Sequence, residues 1–150
     1  MDDTALHALL DHLVPRAQLV TPNVPEAEIL TGIAIHSRDD MERAASQILA
    51  RGVGAVLVKG GHLPGATVYD LLLTHPTTTW FEHDRIDTRH THGTGCTLAS
   101  AAATGLAQGL SVITAVERAR SYVQEALKKA PGLGAGHGPL EHGHMMRPFL

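Results

Sequence analysis

The sequence predicts an α/β fold, and three observations carry that reading. Apolar stretches of strand length at residues 17–20 and 55–58 are separated by helical stripes, the order of a parallel βαβ unit. Two segments rich in β-branched or aromatic residues, 68–74 and 79–86, follow at close spacing and fit an antiparallel pair at one edge of the sheet. The last third of the chain then changes to the Ala- and Val-rich periodicity of helices.

The elements follow in order. Leu6, Leu9, Leu10 and Leu13 recur at helical spacing behind Asp2 and Asp3 as caps, and Pro15 stops that helix. Residues 17–20 form a short strand running into Thr21-Pro22-Asn23. Pro25 then takes the first helical position, and Gly32 closes a short helix. Ser37-Arg38-Asp39-Asp40 resembles a capping box, ahead of a stripe of Met41, Ala44, Ala45, Ile48 and Leu49 that ends at Gly52. The strand at 55–58 runs directly into Lys59-Gly60-Gly61. An Ala-rich helix over 98–108 ends at Gly109, and a second begins near Ser111 with Val112, Val116, Ala119, Val123, Ala126 and Leu127 on one face. Residues 131–150, rich in Gly, His and Pro, read as a mostly irregular tail. No repeat or linker divides the chain, so 1–150 reads as one unit.

Composition narrows the function classes. The chain has 150 residues, with 12 Lys plus Arg against 15 Asp plus Glu, a formal charge of −3. That near balance removes the electrostatic case for a nucleic-acid or membrane-surface protein. Aromatics are only 3% of residues, so the core must be built from Ala, Leu and Val. The single cysteine, Cys96, excludes an internal disulfide framework and a multi-cysteine zinc site. Without an apolar run of signal-peptide or spanning length, the expected compartment is the reducing cytoplasm. Eleven histidines form no HExxH pair, and His137, His142 and His144 read as an exposed tail rather than a metal site.

The chemistry concentrates in Thr91-His92-Gly93-Thr94-Gly95-Cys96, between a strand and a helix. Glycines there let the backbone turn sharply and approach a ligand. The free N–H groups of the next helix start then favour an anion such as a transferring phosphoryl group. Cys96 would sit in the first turn, where a helix dipole favours thiolate and a proton can be taken from a substrate hydroxyl. The competing reading is a small buried cysteine behind an ordinary turn. No GxxxxGK[ST] is present, and Leu98 replaces the third glycine of GxGxxG, which disfavours a P-loop or Rossmann site. Asn23 and Glu26 stand three residues apart at a strand end, either as oxygen ligands around a hydrated Mg²⁺ or as a helix cap. Lys59 leaves a strand beside two glycines, either as a ligand cation at a strand carboxyl end or as a solvated lysine.

Together, Thr21-Pro22-Asn23-Val24-Pro25-Glu26-Ala27-Glu28, Val58-Lys59-Gly60-Gly61-His62 and Thr91-His92-Gly93-Thr94-Gly95-Cys96-Thr97 resemble the ribokinase-like superfamily. Within it they are most similar to the hydroxymethylpyrimidine/phosphomethylpyrimidine kinases of thiamine biosynthesis. Gly136-His137-Gly138-Pro139-Leu140 with His142 is similar to that family's C-terminal signature. The resemblance implies the C-terminal, nucleotide-side part of a three-layer α/β/α sandwich, incomplete at its N-terminal side. It implies ATP-dependent phosphorylation of 4-amino-5-hydroxymethyl-2-methylpyrimidine and then of its monophosphate. By the same resemblance, Gly93, Thr94 and Gly95 form the anion hole and Cys96 accepts the substrate proton. Asn23 and Glu26 organise Mg²⁺, and Lys59 approaches the nucleotide phosphates. Family members carry a further N-terminal portion with the first strands and most of the pyrimidine pocket. Its absence here exposes a sheet edge and implies association, with a second copy or with the missing half. The alternatives are a pyridoxal-type kinase of the same superfamily and a non-catalytic nucleotide-binding remnant.

Overall fold

The computed structural model describes residues 3–146. The chain divides into two compact units, Met1–Arg85 and Ile86–Leu150.

The first unit opens with helix α1 (Asp3–Ala8), which widens to a π-helical turn at Leu9–Leu13 and tightens to a 3₁₀ turn at Val14–Arg16. One uniform helix was the expectation from the leucine spacing. Pro15 supplies the reason for the tightened end, since it lacks the N–H that would continue the helical ladder. Leu10 and Val14 still reach the core, as the spacing requires. Of the two expected caps, Asp2 lies outside the described residues and Asp3 is the first residue of α1.

Residues 17–22 run extended and parallel to strand β1 (Ala55–Lys59). Gly54 N donates to Ala17 O at 3.1 Å, Val20 N to Ala55 O at 3.0 Å, Leu57 N to Val20 O at 2.8 Å and Lys59 N to Pro22 O at 2.9 Å. The connection between them holds helices α2 (Val24–Thr31) and α3 (Arg38–Leu49), which completes the expected βαβ unit. Gly32 ends α2 in the left-handed conformation. Pro25 is the second residue of α2 rather than the first. Ser37 caps α3 through Asp40 N, but the reciprocal carboxylate of Asp40 takes the N–H of His36, one residue earlier than in a capping box.

Strands β2 (Thr67–Thr74) and β3 (Thr78–Asp84) extend the sheet in the order β1-β2-β3, each pair antiparallel. The third strand ends two residues before the sequence pattern does. The first four residues of β1 are buried, so Val56 and Val58 face a core with Met41, Ala44, Ala45, Ile48 and Leu71. Arg38 covers the flank of this core, its guanidinium 4.2 Å from the Trp80 ring centre and 4.9 Å from that of Tyr69.

The second unit is built on α4 (Thr94–Ala107) and α5 (Val112–Lys128). Ser111 caps α5 through Thr114 N, and Ala115, Val116, Ala119, Val123 and Ala126 form its buried stripe. The chain beyond Ala130 has neither helix nor strand through Met146, yet it is tied down. Leu140 is buried, Glu141 N donates to Ala126 O at 3.0 Å, and the Tyr122 hydroxyl donates to His142 O at 3.0 Å. Among the described residues no helix is long and apolar enough to cross a membrane.

Candidate functional site

In the first unit, the parallel pairing of residues 17–22 with β1 brings Asn23, Glu26 and Lys59 to one strand end. Asn23 and Lys59 face each other as a parallel bridge. Asn23 Oδ1 accepts from Glu26 N at 2.8 Å, and Glu26 Oε2 accepts from Asn23 N at 2.7 Å. This is a complete capping box. Both side chains are therefore fixed in place, while the second carboxylate oxygen of Glu26 stays outside that pair of bonds. Lys59 is half-buried and has no ion pair among the described residues.

The turn after Lys59 is held from beneath. Asp70 lies opposite Lys59 in the β1–β2 register and is buried. Its Oδ1 accepts the Gly60 N–H at 3.0 Å. A Cβ on Gly60 would lie 2.0 Å from Tyr69 O, so the backbone passes where no side chain fits. Sequence reasoning missed Asp70. Its signal was a lone carboxylate within an otherwise apolar strand, and the strand pattern absorbed it.

In the second unit, Gly93, Thr94, Gly95 and Cys96 meet at the start of α4. Gly93 is the N-cap residue with φ 83°, a left-handed conformation that favours glycine. It offers no side chain to the helix start. Thr94 spends its hydroxyl on Thr91 O at 2.7 Å, and its N–H reaches the same carbonyl at 3.3 Å. The N–H groups of Gly95 and Cys96 carry no hydrogen bond among the described residues. Two open donors at the positive end of a 14-residue helix make a site for an anion. Cys96 is exposed beside them. It opens on a cleft of about 770 Å³ that is also lined by Ser100, Thr104, Tyr122, Glu125 and His144.

The tail supports this turn. His92 N donates to Gly138 O at 3.3 Å, His92 bridges Pro139, and His137 Nδ1 lies 3.0 Å from Arg89 O. A Cβ on Gly138 would lie 2.3 Å from His90 Nδ1, so the tail glycine permits a close backbone approach. Among the described residues no group of three or more His, Cys, Asp or Glu is arranged to hold a metal ion.

Comparison with known proteins agrees with these motifs. The family model described as phosphomethylpyrimidine kinase matches residues 1–141. A hydroxymethylpyrimidine/phosphomethylpyrimidine kinase of Bacillus subtilis is 44% identical over 149 residues, covering 99% of this chain and 55% of its own length. Its counterpart from Streptomyces coelicolor is 47% identical over 140 residues, covering 93% and 52%. Among solved structures, a pyridoxal kinase from Staphylococcus aureus, in complex with AMP-PCP and pyridoxal, superposes with a TM-score of 0.92. It is 34% identical and covers 99% of this chain and 56% of its own. The chain thus spans about half the length of the curated relatives it matches.

Proposed function

The chain belongs to the phosphomethylpyrimidine kinase family, and from that premise we propose that it is the nucleotide-side part of an ATP-dependent kinase for hydroxymethylpyrimidine and its monophosphate. Its α/β architecture is part of the ribokinase-like fold. The observation that carries the reading is the start of α4, where open N–H donors stand beside an exposed thiol at a glycine-built turn.

Phosphoryl transfer needs positioning and charge stabilisation more than covalent chemistry by the protein. The N–H groups of Gly95 and Cys96, with Gly93 and Thr94 shaping the turn, receive the charge that builds on the transferring phosphoryl oxygens. Cys96 accepts the proton of the substrate hydroxyl as its oxygen attacks phosphorus. Lys59 supplies a fixed cation to the nucleotide phosphates. The residues at 23 and 26 fit a hydrated Mg²⁺: the cap leaves one carboxylate oxygen of Glu26 for the ion or its waters, and Mg²⁺ favours oxygen ligands and keeps several waters. Bound there, the ion would neutralise phosphate charge.

The half-length chain also bears on assembly. Leu19 and Thr21 make no backbone hydrogen bond among the described residues, so the outer side of the 17–22 segment can receive another strand. We place there strands of the kind that the relatives' N-terminal half supplies, or those of a second copy, in the cytoplasm where ATP is made available. A pyridoxal kinase reading is favoured by the Staphylococcus aureus structure, whose complex holds pyridoxal.

The deciding experiment is ATP turnover with hydroxymethylpyrimidine and with pyridoxal. It is run on the chain alone and with the N-terminal half of a related kinase, alongside size-exclusion chromatography. We expect self-association and little turnover alone, then pyrimidine turnover on complementation. Ordinary turnover by a monodisperse monomer overturns the half-site reading. Nucleotide binding without turnover in either arm identifies a binding remnant.

A further inference from the structure

The loop that follows Lys59 is enclosed by one side chain from the far end of the sheet. Arg85 donates from Nη1 to Gly61 O at 2.8 Å, from Nη2 to Leu63 O at 2.5 Å and from Nε to Gly65 O at 2.7 Å. Its own backbone N–H reaches Ala66 O at 2.7 Å. The opposite end of the loop is held by Asp70 at Gly60 N–H, and Leu63 N closes a tight turn onto Gly60 O at 2.9 Å. Apart from Leu63, which packs against the core, residues 61–66 are exposed, and a surface loop of that kind would ordinarily be mobile. Three carbonyls held by one planar guanidinium is an arrangement that only arginine can supply, because its donors sit in a rigid fork.

With its carbonyls engaged, the loop keeps two backbone donors free. The N–H groups of Gly61 and His62 carry no hydrogen bond among the described residues, and both residues are exposed. They stand two and three residues after Lys59, which has no ion pair among the described residues. A cation and two successive free backbone donors suit the terminal phosphates of a nucleoside triphosphate.

We propose that Arg85 is a positioning residue for triphosphate recognition: it holds the 60–66 loop so that Lys59 and the free N–H groups of Gly61 and His62 meet the phosphates in one fixed arrangement. This rests on the reading of Lys59 as a phosphate contact. Arg85 itself touches no phosphate. It acts by removing the conformational freedom that the loop would otherwise lose on binding.

The test is a double-mutant cycle on the full chain, with Mg-ATP affinity measured by titration calorimetry and amide exchange followed over residues 60–66. Arg85→Met should weaken Mg-ATP by about tenfold and speed exchange in the loop, while β1 and β2 exchange as in the parent. Lys59→Ala should weaken Mg-ATP without changing loop exchange. In the Lys59→Ala background, Arg85→Met should cost less than in the parent but still a measurable part of it, because the Gly61 and His62 donors remain to be positioned while their cation partner is gone. Arg85→Lys, a single cation without the fork, should recover little of the loss. Parental affinity in Arg85→Met overturns the proposal, as do fully multiplicative losses in the double variant. Parental affinity in Lys59→Ala, or a parent that binds no Mg-ATP, overturns the phosphate reading and the positioning role with it.

Discussion

The two groups of site residues solve opposite problems. At the end of β1, local bonds fix the framework around the few groups left over: Asn23 and Glu26 cap each other, Asp70 holds Gly60, and Arg85 holds three loop carbonyls. At the start of α4, groups are left open: the N-cap residue has no side chain, two N–H donors are unmet, and the thiol is exposed. The first region is held in place by those bonds, and the second presents donors and a thiol that no bond engages among the described residues. In the kinase reading proposed above, the fixed groups suit the nucleotide phosphates, and the open donors suit charge that develops during transfer.

The comparison predicts its largest effect at the open end. In the complemented protein, Cys96→Ser should slow turnover by ~10²–10⁴, the usual cost of losing a general base. Cys96→Asp should retain part of the rate, because a carboxylate at the same place can still accept the substrate proton. Steady-state ATP turnover decides it, and a fully active serine variant removes the proton-acceptor role from Cys96.

Two glycines then separate the regions by mechanism. Gly60→Ala must displace the Tyr69 carbonyl, and overpacking of backbone against backbone should cost about 3 kcal/mol. Gly93→Ala meets nothing within 4 Å, so its cost is conformational alone, about 1–2 kcal/mol for a left-handed residue. Thermal melts should therefore rank Gly60→Ala well below Gly93→Ala. Turnover should fall in both, as each carries part of the site. A reversed ranking of melts would show that the β1 end is the more pliable of the two.

Glu26 tests whether the closed region does more than cap. Glu26→Ala breaks the reciprocal bond to Asn23 N and should cost about 1 kcal/mol in a melt. Glu26→Gln keeps an acceptor in the same place, so the melt should hardly move. It removes the carboxylate charge, so the Mg²⁺ concentration needed for half-maximal turnover should rise. A glutamine variant with the parental Mg²⁺ dependence would leave Glu26 as a cap only.

What the sequence made readable is local, and what it hid is long-range. The caps at Asn23 and Ser37, the left-handed Gly32 and Gly109, and the β-branched and aromatic content of β2 all depend on neighbours within a few residues. Gly93 to Cys96 were readable because a glycine turn and a helix start are also local events. Arg85 reaches carbonyls 20 to 24 residues away, and no periodicity marks a side chain that bonds backbone at that distance. Asp70 looked like one polar interruption of a strand until the register set it opposite Lys59. The π-helical turn at Leu9–Leu13 was equally hidden, because leucine spacing fits a widened helix about as well as a regular one.

The smallest expected effect belongs to Asp40, at the start of α3, where satisfied local bonding can be separated from charge. The Arg43 guanidinium, bonded to Asp40 Oδ1 at 2.5 Å, together with the His36 N–H and Ser37, holds this carboxyl well below its ordinary value of 3.8. A depressed carboxylate contributes stability that is fully present above the unfolded-state value and is lost as pH falls toward the folded one. The contribution should thus be constant above about pH 5 and decline from near pH 4 downward. Asp40→Asn keeps an acceptor for the His36 N–H and removes only the charge. Melts of parent and variant from pH 7 to pH 2 should differ by a small, constant amount at the upper end and converge at the lower end. Because the pair is on the surface, 0.5 M salt should shrink the difference at neutral pH as well. A gap that widened on acidification would mean that Asp40 acts through the cap geometry rather than through its charge, and the α3 start would then belong with the uncharged caps at Ser111 and Asn23.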